Sequence, residues 1–330
     1  MYLKDDTFDW ISFIWIDFKP FIIDIVPVHY NSLIFTIFTR HEIPSMKKFV
    51  LIIVLGMLAP YLLLAQNKPA YVLYNAKGKK LAYGKMIKTL IKQDVVLVGE
   101  LHNNPISHWL ELEITKPCLS ARELVLGAEM FEQDNQPALN QYLNGKMTEK
   151  GLDSTARLWK NYKTDYAPLV NLAKQNKLQF IATNIPRKYA SLVSKGGFES
   201  LDKLTAEEKK WVAPLPILYD AELPSYVKML KMMEEHKMPN MAKAQAIKDA
   251  TMAHFIFQNQ KPGGLFIHYN GSYHSEYFEG ISWYLKKSNP NVKISTIASV
   301  SQEDIHSLST EHVGKADYII CIDSDMTPTY

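Results

Sequence analysis

The sequence predicts an α/β fold, a mostly parallel sheet flanked by helices with a helical subdomain. Two observations predict it. Short apolar runs bounded by polar residues recur between residues 71 and 323 and alternate with helical patterns; strands buried on both faces and joined by helical crossovers have this appearance. The stretch from about 205 to 260 contains no strand-like run and reads as helix. With 330 residues, 47% hydrophobic and 22% charged, the chain is long enough to bury one large core.

Taken in order, YVLY from Tyr71 and KLAY up to Tyr83 predict a short hairpin turning over residues 75–78, with a helix over 84–93. DVVLV at 94–98 is the first buried strand. Asn103 and Asn104 are capping residues for a helix that Pro105 opens. ELVLGAEMF is the second strand, LQFIATN at 178–184 the third, GLFIHYN at 264–270 the fourth, VKISTIASV at 292–300 the fifth, and ADYIICID at 316–323 the last. Thr205 with Glu208 three residues on is a capping box that opens the helical middle. No linker rich in Ser, Gly or Pro divides the chain, so residues 66–330 form a single α/β domain with a helical insertion over about 200–260.

Ahead of that domain, residues 46–66 read MKKFVLIIVLGMLAPYLLLAQ. Lys47 and Lys48, an apolar core shorter than a comfortable bilayer span, and a small residue at Ala65 make 46–65 a secretory signal peptide. Met46 is then the expected start, with 1–45 an upstream, non-native extension. The competing reading of 1–45, a membrane anchor, meets the cost of Asp9, Asp17, Lys19 and Asp24 at mid-membrane. The expected compartment is extracytoplasmic, periplasm or cell envelope.

A net charge of +3 supplies no basic field for nucleic acid. Two cysteines, Cys118 and Cys321, exclude a disulfide framework and a cysteine-rich zinc module, so any metal falls to His, carboxylate or Tyr. The chain contains no phosphate-binding G-x-x-x-x-G-K-[ST] loop, G-x-G-x-x-G fingerprint, H-E-x-x-H or G-x-S-x-G elbow.

In an open parallel sheet ligands collect beyond the carboxyl ends of the strands. Two of those exits carry G-x-x-H: Gly99-Glu100-Leu101-His102 and Gly271-Ser272-Tyr273-His274. The glycines there suit tight turns. Glu100 and His102 face the same way if the extended backbone persists, and Glu129, at the end of the second strand, adds a carboxylate. Glu100, His102, Glu129 and His274 thus form a two-His, two-carboxylate set able to hold a divalent metal or to act as a general acid and base. The plain alternative has His102 capping a helix and Glu100 paired with a surface lysine. Arg187, after the third strand, can meet an anionic group; its alternative is a helix start behind Pro186. Trp159, Tyr162 and Tyr166 line one face of a helix, as core or as an aromatic face for a flat ligand. Asp249 is a carboxylate inside an otherwise apolar helix, with Arg187 as one partner open to it.

VLVGELHNN, GAEMFEQ, WKNYKTDYAPLV, ATNIPR, KDATMAH and the segment 271–274, in that order, resemble the ChaN family over about residues 80–300. These are iron-regulated haem-binding proteins of bacterial envelopes, grouped with Tiki and erythromycin-esterase-like proteins. The resemblance implies haem as cofactor, a homodimer holding haems face to face, and an outer-membrane haem transporter as partner. It implies a Tyr on the iron, with a His contributing nearby. Ferric iron is hard and suits a phenolate. Tyr166 is the first candidate and Tyr162 the second, with His102, His274 and Arg187 as further haem-binding residues. Relatives elsewhere in the superfamily use the Glu/His set for hydrolysis, some with metal, so Glu100, His102, Glu129 and His274 are the catalytic set of that second reading. Family members are often lipoproteins; no lipid-bearing cysteine follows Leu64 here.

Overall fold

The structure, a computed structural model, describes residues 68–234 and 238–330. The segments 1–45 and 46–65 lie outside the described residues. Seven strands form one sheet: β1 (Tyr71–Asn75), β2 (Val95–Glu100), β3 (Leu124–Glu132), β4 (Gln179–Asn184), β5 (Leu265–Gly271), β6 (Ile294–Gln302) and β7 (Tyr318–Asp323). Their order across the sheet is β1-β7-β6-β2-β5-β3-β4. All neighbours run parallel except β1, which is antiparallel to β7. The α/β fold with a mostly parallel sheet is therefore present.

Alternation along the strands feeds two cores. In β2, Val96 and Val98 enter one apolar cluster, while Val95 and Leu97 enter the other, as a period of two demands. The first cluster receives α1 (Tyr83–Leu90), α2 (Pro105–Thr115), α3 (Gln136–Leu143) and α5 (Ala167–Gln175), with α4 (Glu149–Thr155) contributing Leu152. Between β4 and β5 lie α6 (Arg187–Gly196), α7 (Ala206–Lys209), α8 (Pro224–Met233) and α9 (Met241–Asn259). The second cluster takes α9 together with α10 (Ile281–Ser288). Among the described residues, no helix is long and apolar enough to cross a membrane.

Two local expectations differ from the structure. KLAY forms no strand: a single bridge joins Tyr74 to Lys80, and the full length of β1 pairs with β7 instead. Leu81 and Tyr83 pack against the first core cluster, Tyr83 from the first turn of α1, which rewards those apolar side chains more than an exposed edge would. The Trp159–Tyr162–Tyr166 stripe does not share one helical face. Trp159 lies ahead of the helix, outside any helical segment, and Tyr162–Tyr166 is a π-helical turn, closed by the Ala167 N–H on the Tyr162 carbonyl.

Candidate functional site

The site is built at the carboxyl ends of β2, β5 and β3, which are adjacent in that order. β5 separates the other two strands, so Glu129 on β3 does not neighbour Glu100 directly. Gly271 pairs with Glu100 in the sheet register and lies between the two carboxylates. A Cβ on Gly271 would stand 2.8 Å from both Cε1 and Nε2 of His102, with Glu129 Oε2 3.6 Å away. Neither motif glycine has a positive φ, and both belong to strands. Their use is close approach, not the tight turn expected of them: a Cβ on Gly99 would meet the Ile297 carbonyl oxygen at 2.7 Å.

The strand ends at Glu100 and His102 stands in the turn beyond it, yet the two side chains meet. The Nδ1–H of His102 donates to Glu100 Oε1 at 2.7 Å, and the Tyr166 hydroxyl donates to the same oxygen at 2.7 Å. The His102 side chain is 38% exposed, whereas that of Glu100 is fully buried. Burial works to lower the basicity of His102, but the Glu100 hydrogen bond and the charge of Glu129 prevail and raise it. The edge of Trp159 packs on His102 and on Tyr166, with centroids 5.0 and 5.8 Å apart. Asn104, not His102, caps α2, accepting from Ile106 and Ser107 N–H at 3.0 and 3.2 Å.

The second pair sits on the other side of Gly271. Glu129 lies where the β3–β4 register shifts, between Ala128 and Glu132, an irregularity of the kind that re-aims a side chain. Its Oε2 accepts the Gly271 N–H at 2.8 Å, and Oε1 faces His274 Nε2 at 3.1 Å. The other ring nitrogen, Nδ1, faces Asp249 Oδ1 at 2.5 Å, and Tyr226 donates to Asp249 Oδ2 at 3.1 Å. Burial opposes charge on His274, yet two flanking carboxylates raise its pKa to about 9. Burial likewise opposes charge on Glu129, and the neighbouring imidazolium overcomes it and holds the carboxyl low. At Asp249 burial outweighs His274 and pushes the carboxyl up. Both ring nitrogens of His274 thus face carboxylate oxygens, and the Gln245 amide lies 2.9 Å from Nδ1.

The structure therefore brings Glu100, His102, Glu129 and His274 together as two hydrogen-bonded pairs facing each other across Gly271. Tyr166 is buried, and burial together with Glu100 pushes its phenol far above the ordinary range. Tyr162 is buried against Phe131, with its hydroxyl unpartnered and its pKa raised by burial. Arg187 stands apart: its side chain is 78% exposed and 4.0 Å from Glu132. Asp249 takes His274 and Tyr226 as partners, not Arg187. Cys118 and Cys321 are free and buried, and burial raises both thiols to about 11.

Sequence reasoning missed four residues around Glu100. His108 and Glu111 on α2 are buried, with His108 Nδ1 3.6 Å from Glu100 Oε2 and 3.2 Å from Glu111 Oε2. Asp165 stands 3.4 Å from His108 Nε2, and Asn161 donates to Asp165. The signal for the first two was their spacing of three on a helix whose buried face also carries Leu110 and Ile114.

Comparison with known proteins agrees with this architecture. The family model described as "Haem-binding uptake, Tiki superfamily, ChaN" matches residues 86–285. The solved structure described as "Cofacial heme binding to ChaN of Campylobacter jejuni" superposes with a TM-score of 0.59 at 18% identity, covering 78% of this chain and 98% of that one. A mutant erythromycin esterase in its open conformation gives a TM-score of 0.45 at 10% identity, over 78% of this chain and 98% of that one. In sequence, the chloroplastic protein RETICULATA-RELATED 5 of Arabidopsis thaliana is 29% identical over an alignment 224 residues long that covers 61% of this chain and only 30% of that relative's length. With the family model matching more than half of its length, and the fold in agreement, the chain belongs to the ChaN family of haem-binding uptake proteins in the Tiki superfamily.

Proposed function

We propose that this protein is an exported haem-binding protein of bacterial iron and haem uptake, and that His102 presents the ligand atom nearest the iron. One observation carries the residue assignment. His102 is the partly exposed imidazole of the cluster, and its Nδ1–H is held by Glu100, which fixes the tautomer and leaves the lone pair on Nε2, beside Gly271. A carboxylate behind a ligating histidine strengthens it as a donor. The donor set therefore fits haem, which supplies the iron-centred chemistry when bound. Tyr166 is the alternative ligand, and its use requires the hydroxyl to leave Glu100. In the reading proposed here Tyr166 orients Glu100, the Trp159 edge buttresses His102, and Arg187 pairs with anionic groups of the ligand.

A hemin titration tests the assignment. A saturable Soret shift is expected in the wild type and in Tyr162→Phe, a modest change in Tyr166→Phe, and loss of the shift in His102→Ala. If Tyr166→Phe abolishes the shift while His102→Ala keeps it, the tyrosine is the ligand. Binding through neutral His102 strengthens as pH rises past the range in which its raised basicity keeps it protonated. The reading extends to a homodimer with facing haems, supplied by an outer-membrane transporter. The Campylobacter jejuni relative, described as binding heme cofacially, supports the dimer; sedimentation with and without hemin tests it. The lysine-led apolar segment before Gln66 supports export, and the mass of the mature N-terminus tests that.

A second reading is a hydrolase of the erythromycin-esterase-like type. The Glu100–His102 dyad favours it, because a carboxylate-held imidazole open to solvent can take a proton from water while the His274 imidazolium stabilises developing negative charge. Ester turnover that disappears in His102→Ala, in protein free of haem, would favour this reading over the first.

A further inference from the structure

Glu100 turns its two oxygens into different surroundings. Oε1 is taken by His102 and Tyr166. Oε2 is buried without a hydrogen-bond donor, and so is Oε1 of Glu111. Between them lies His108. Its Nε2 faces the His102 carbonyl oxygen at 3.1 Å and Asp165 Oδ2 at 3.4 Å. Both of those atoms can only accept, so Nε2 carries the hydrogen. The Nδ1 of His108 then points at two carboxylates, 3.2 Å from Glu111 Oε2 and 3.6 Å from Glu100 Oε2. One donor atom from each of Glu100, His108 and Glu111 lies within 4.8 Å of the other two, and all three side chains are buried.

Three electron-rich atoms turned inward, in a place with no water to solvate them, need a positive charge at their centre. A proton on Nδ1 reaches Glu111 but leaves Glu100 Oε2 without a donor; a proton shared between Glu111 and Glu100, which burial and the Glu100 charge favour by pushing the Glu111 carboxyl up, leaves the Nδ1 lone pair facing Glu111 Oε2. One ion between the three residues meets Glu100 Oε2, His108 Nδ1 and Glu111 Oε2 together. The spacing suits an ion, because two bonds of about 2.1 Å at a tetrahedral angle hold their donors roughly 3.4 Å apart. The surroundings suit it as well: a ligating histidine characteristically donates its other N–H to a backbone carbonyl or carboxylate, as Nε2 does here.

We propose that Glu100, His108 and Glu111 bind a divalent first-row transition ion, at a site behind the haem-facing pair and sharing only Glu100 with the four-residue set expected from sequence. The imidazole disfavours calcium and magnesium, and the absence of thiolate disfavours copper(I); a mixed imidazole and carboxylate set suits divalent ions such as zinc, manganese and iron(II). Asp165 and the His102 carbonyl are positioning groups that fix the His108 tautomer. Glu100 serves both sites through different oxygens, Oε1 toward His102 and Oε2 toward His108.

The test uses the full chain without hemin. After chelator treatment, Mn(II) or Zn(II) alone is added, and bound metal is counted by mass spectrometry after gel filtration. About one ion per chain is expected, with at least a tenfold loss of affinity in Glu111→Gln and in His108→Ala. His274→Gln should keep the ion; losing it there would put the metal on the Glu129 side of Gly271 and overturn the assignment. Because a buried variant can fail to fold, the wild type supplies its own measurement: pulsed electron paramagnetic resonance of the Mn(II) form should show coupling to the nitrogen of one imidazole. No bound ion at millimolar metal, or bound Mn(II) without nitrogen coupling, overturns the proposal.

Discussion

His274 shows how one side chain can be decided by its two neighbours. Glu129 and Asp249 occupy both ring nitrogens and raise its pKa to about 9 from an ordinary 6.5. Because the folded-state value is raised, the stabilisation is fully present below about 6.5 and is lost as pH rises through about 9. Glu129 has the opposite sign: its lowered pKa gives stability above the ordinary carboxylate range, lost on acidification. Thermal melts should therefore show the wild type losing stability as the pH passes about 9. His274→Gln, which leaves a buried carboxylate uncompensated, should cost roughly 3–5 kcal/mol at neutral pH, on the order of 10 °C in melting temperature, and the two proteins should converge at high pH. A variant that melts like the wild type at neutral pH would remove the ion pair from the account. His274 was legible in the sequence because it closes a G-x-x-H. Its partner was not, because Asp249 lies 25 residues away on a helix and nothing local says that the helix delivers it to a strand exit.

The strands were legible as elements because apolar runs fully buried on two faces leave few alternatives; β2, β3 and β5 fall within two residues of where their sequences place them. What those strands demand of glycine was misread. Gly99 and Gly271 are not turn residues but gaps in the strand surface, and the two gaps differ in what fills them. A Cβ at position 99 meets the Ile297 carbonyl oxygen and the Ser272 Cα, at 2.7 and 2.8 Å, both backbone. At position 271 it meets an imidazole, which can swing aside. Gly99→Ala should therefore cost roughly 1–3 kcal/mol in urea unfolding. Gly271→Ala should cost less, yet change the hemin spectrum by displacing His102. An unchanged spectrum in Gly271→Ala would separate His102 from the haem. Helix α2 conceals its chemistry for a related reason. His108 and Glu111 look like the polar face of an amphipathic helix until the packing shows them on the buried side, next to Ser107 and Thr115.

At the scale of the whole molecule, what the sequence withheld is strand order. The chain order β2, β3, β4, β5 gives no hint that β5 inserts between β2 and β3, and that insertion is what sets Gly271 between the two Glu/His pairs. Nor does it show that the last residues return to the site. Beyond β7 the chain crosses back so that the Thr329 N–H donates to the Asn103 carbonyl at 2.8 Å and the Thr329 hydroxyl donates to Asp165 Oδ2 at 2.9 Å. Met326 packs against the first core on the way. Asp165 in turn faces His108, so the tail is tied to the buried triad through one carboxylate. Removing residues 326–330 leaves the β6–β7 ladder whole, since its pairing ends at Asp323. The lost hydrogen bonds, one of them to a carboxylate, are together worth about 2–3 kcal/mol. The shortened chain should stay folded, melt roughly 5–10 °C lower, and bind metal more weakly because Asp165 is freer to leave His108. If it melts with the full-length protein, the tail contributes no hold on Asp165, and His108 must be kept in its tautomer by the His102 carbonyl alone.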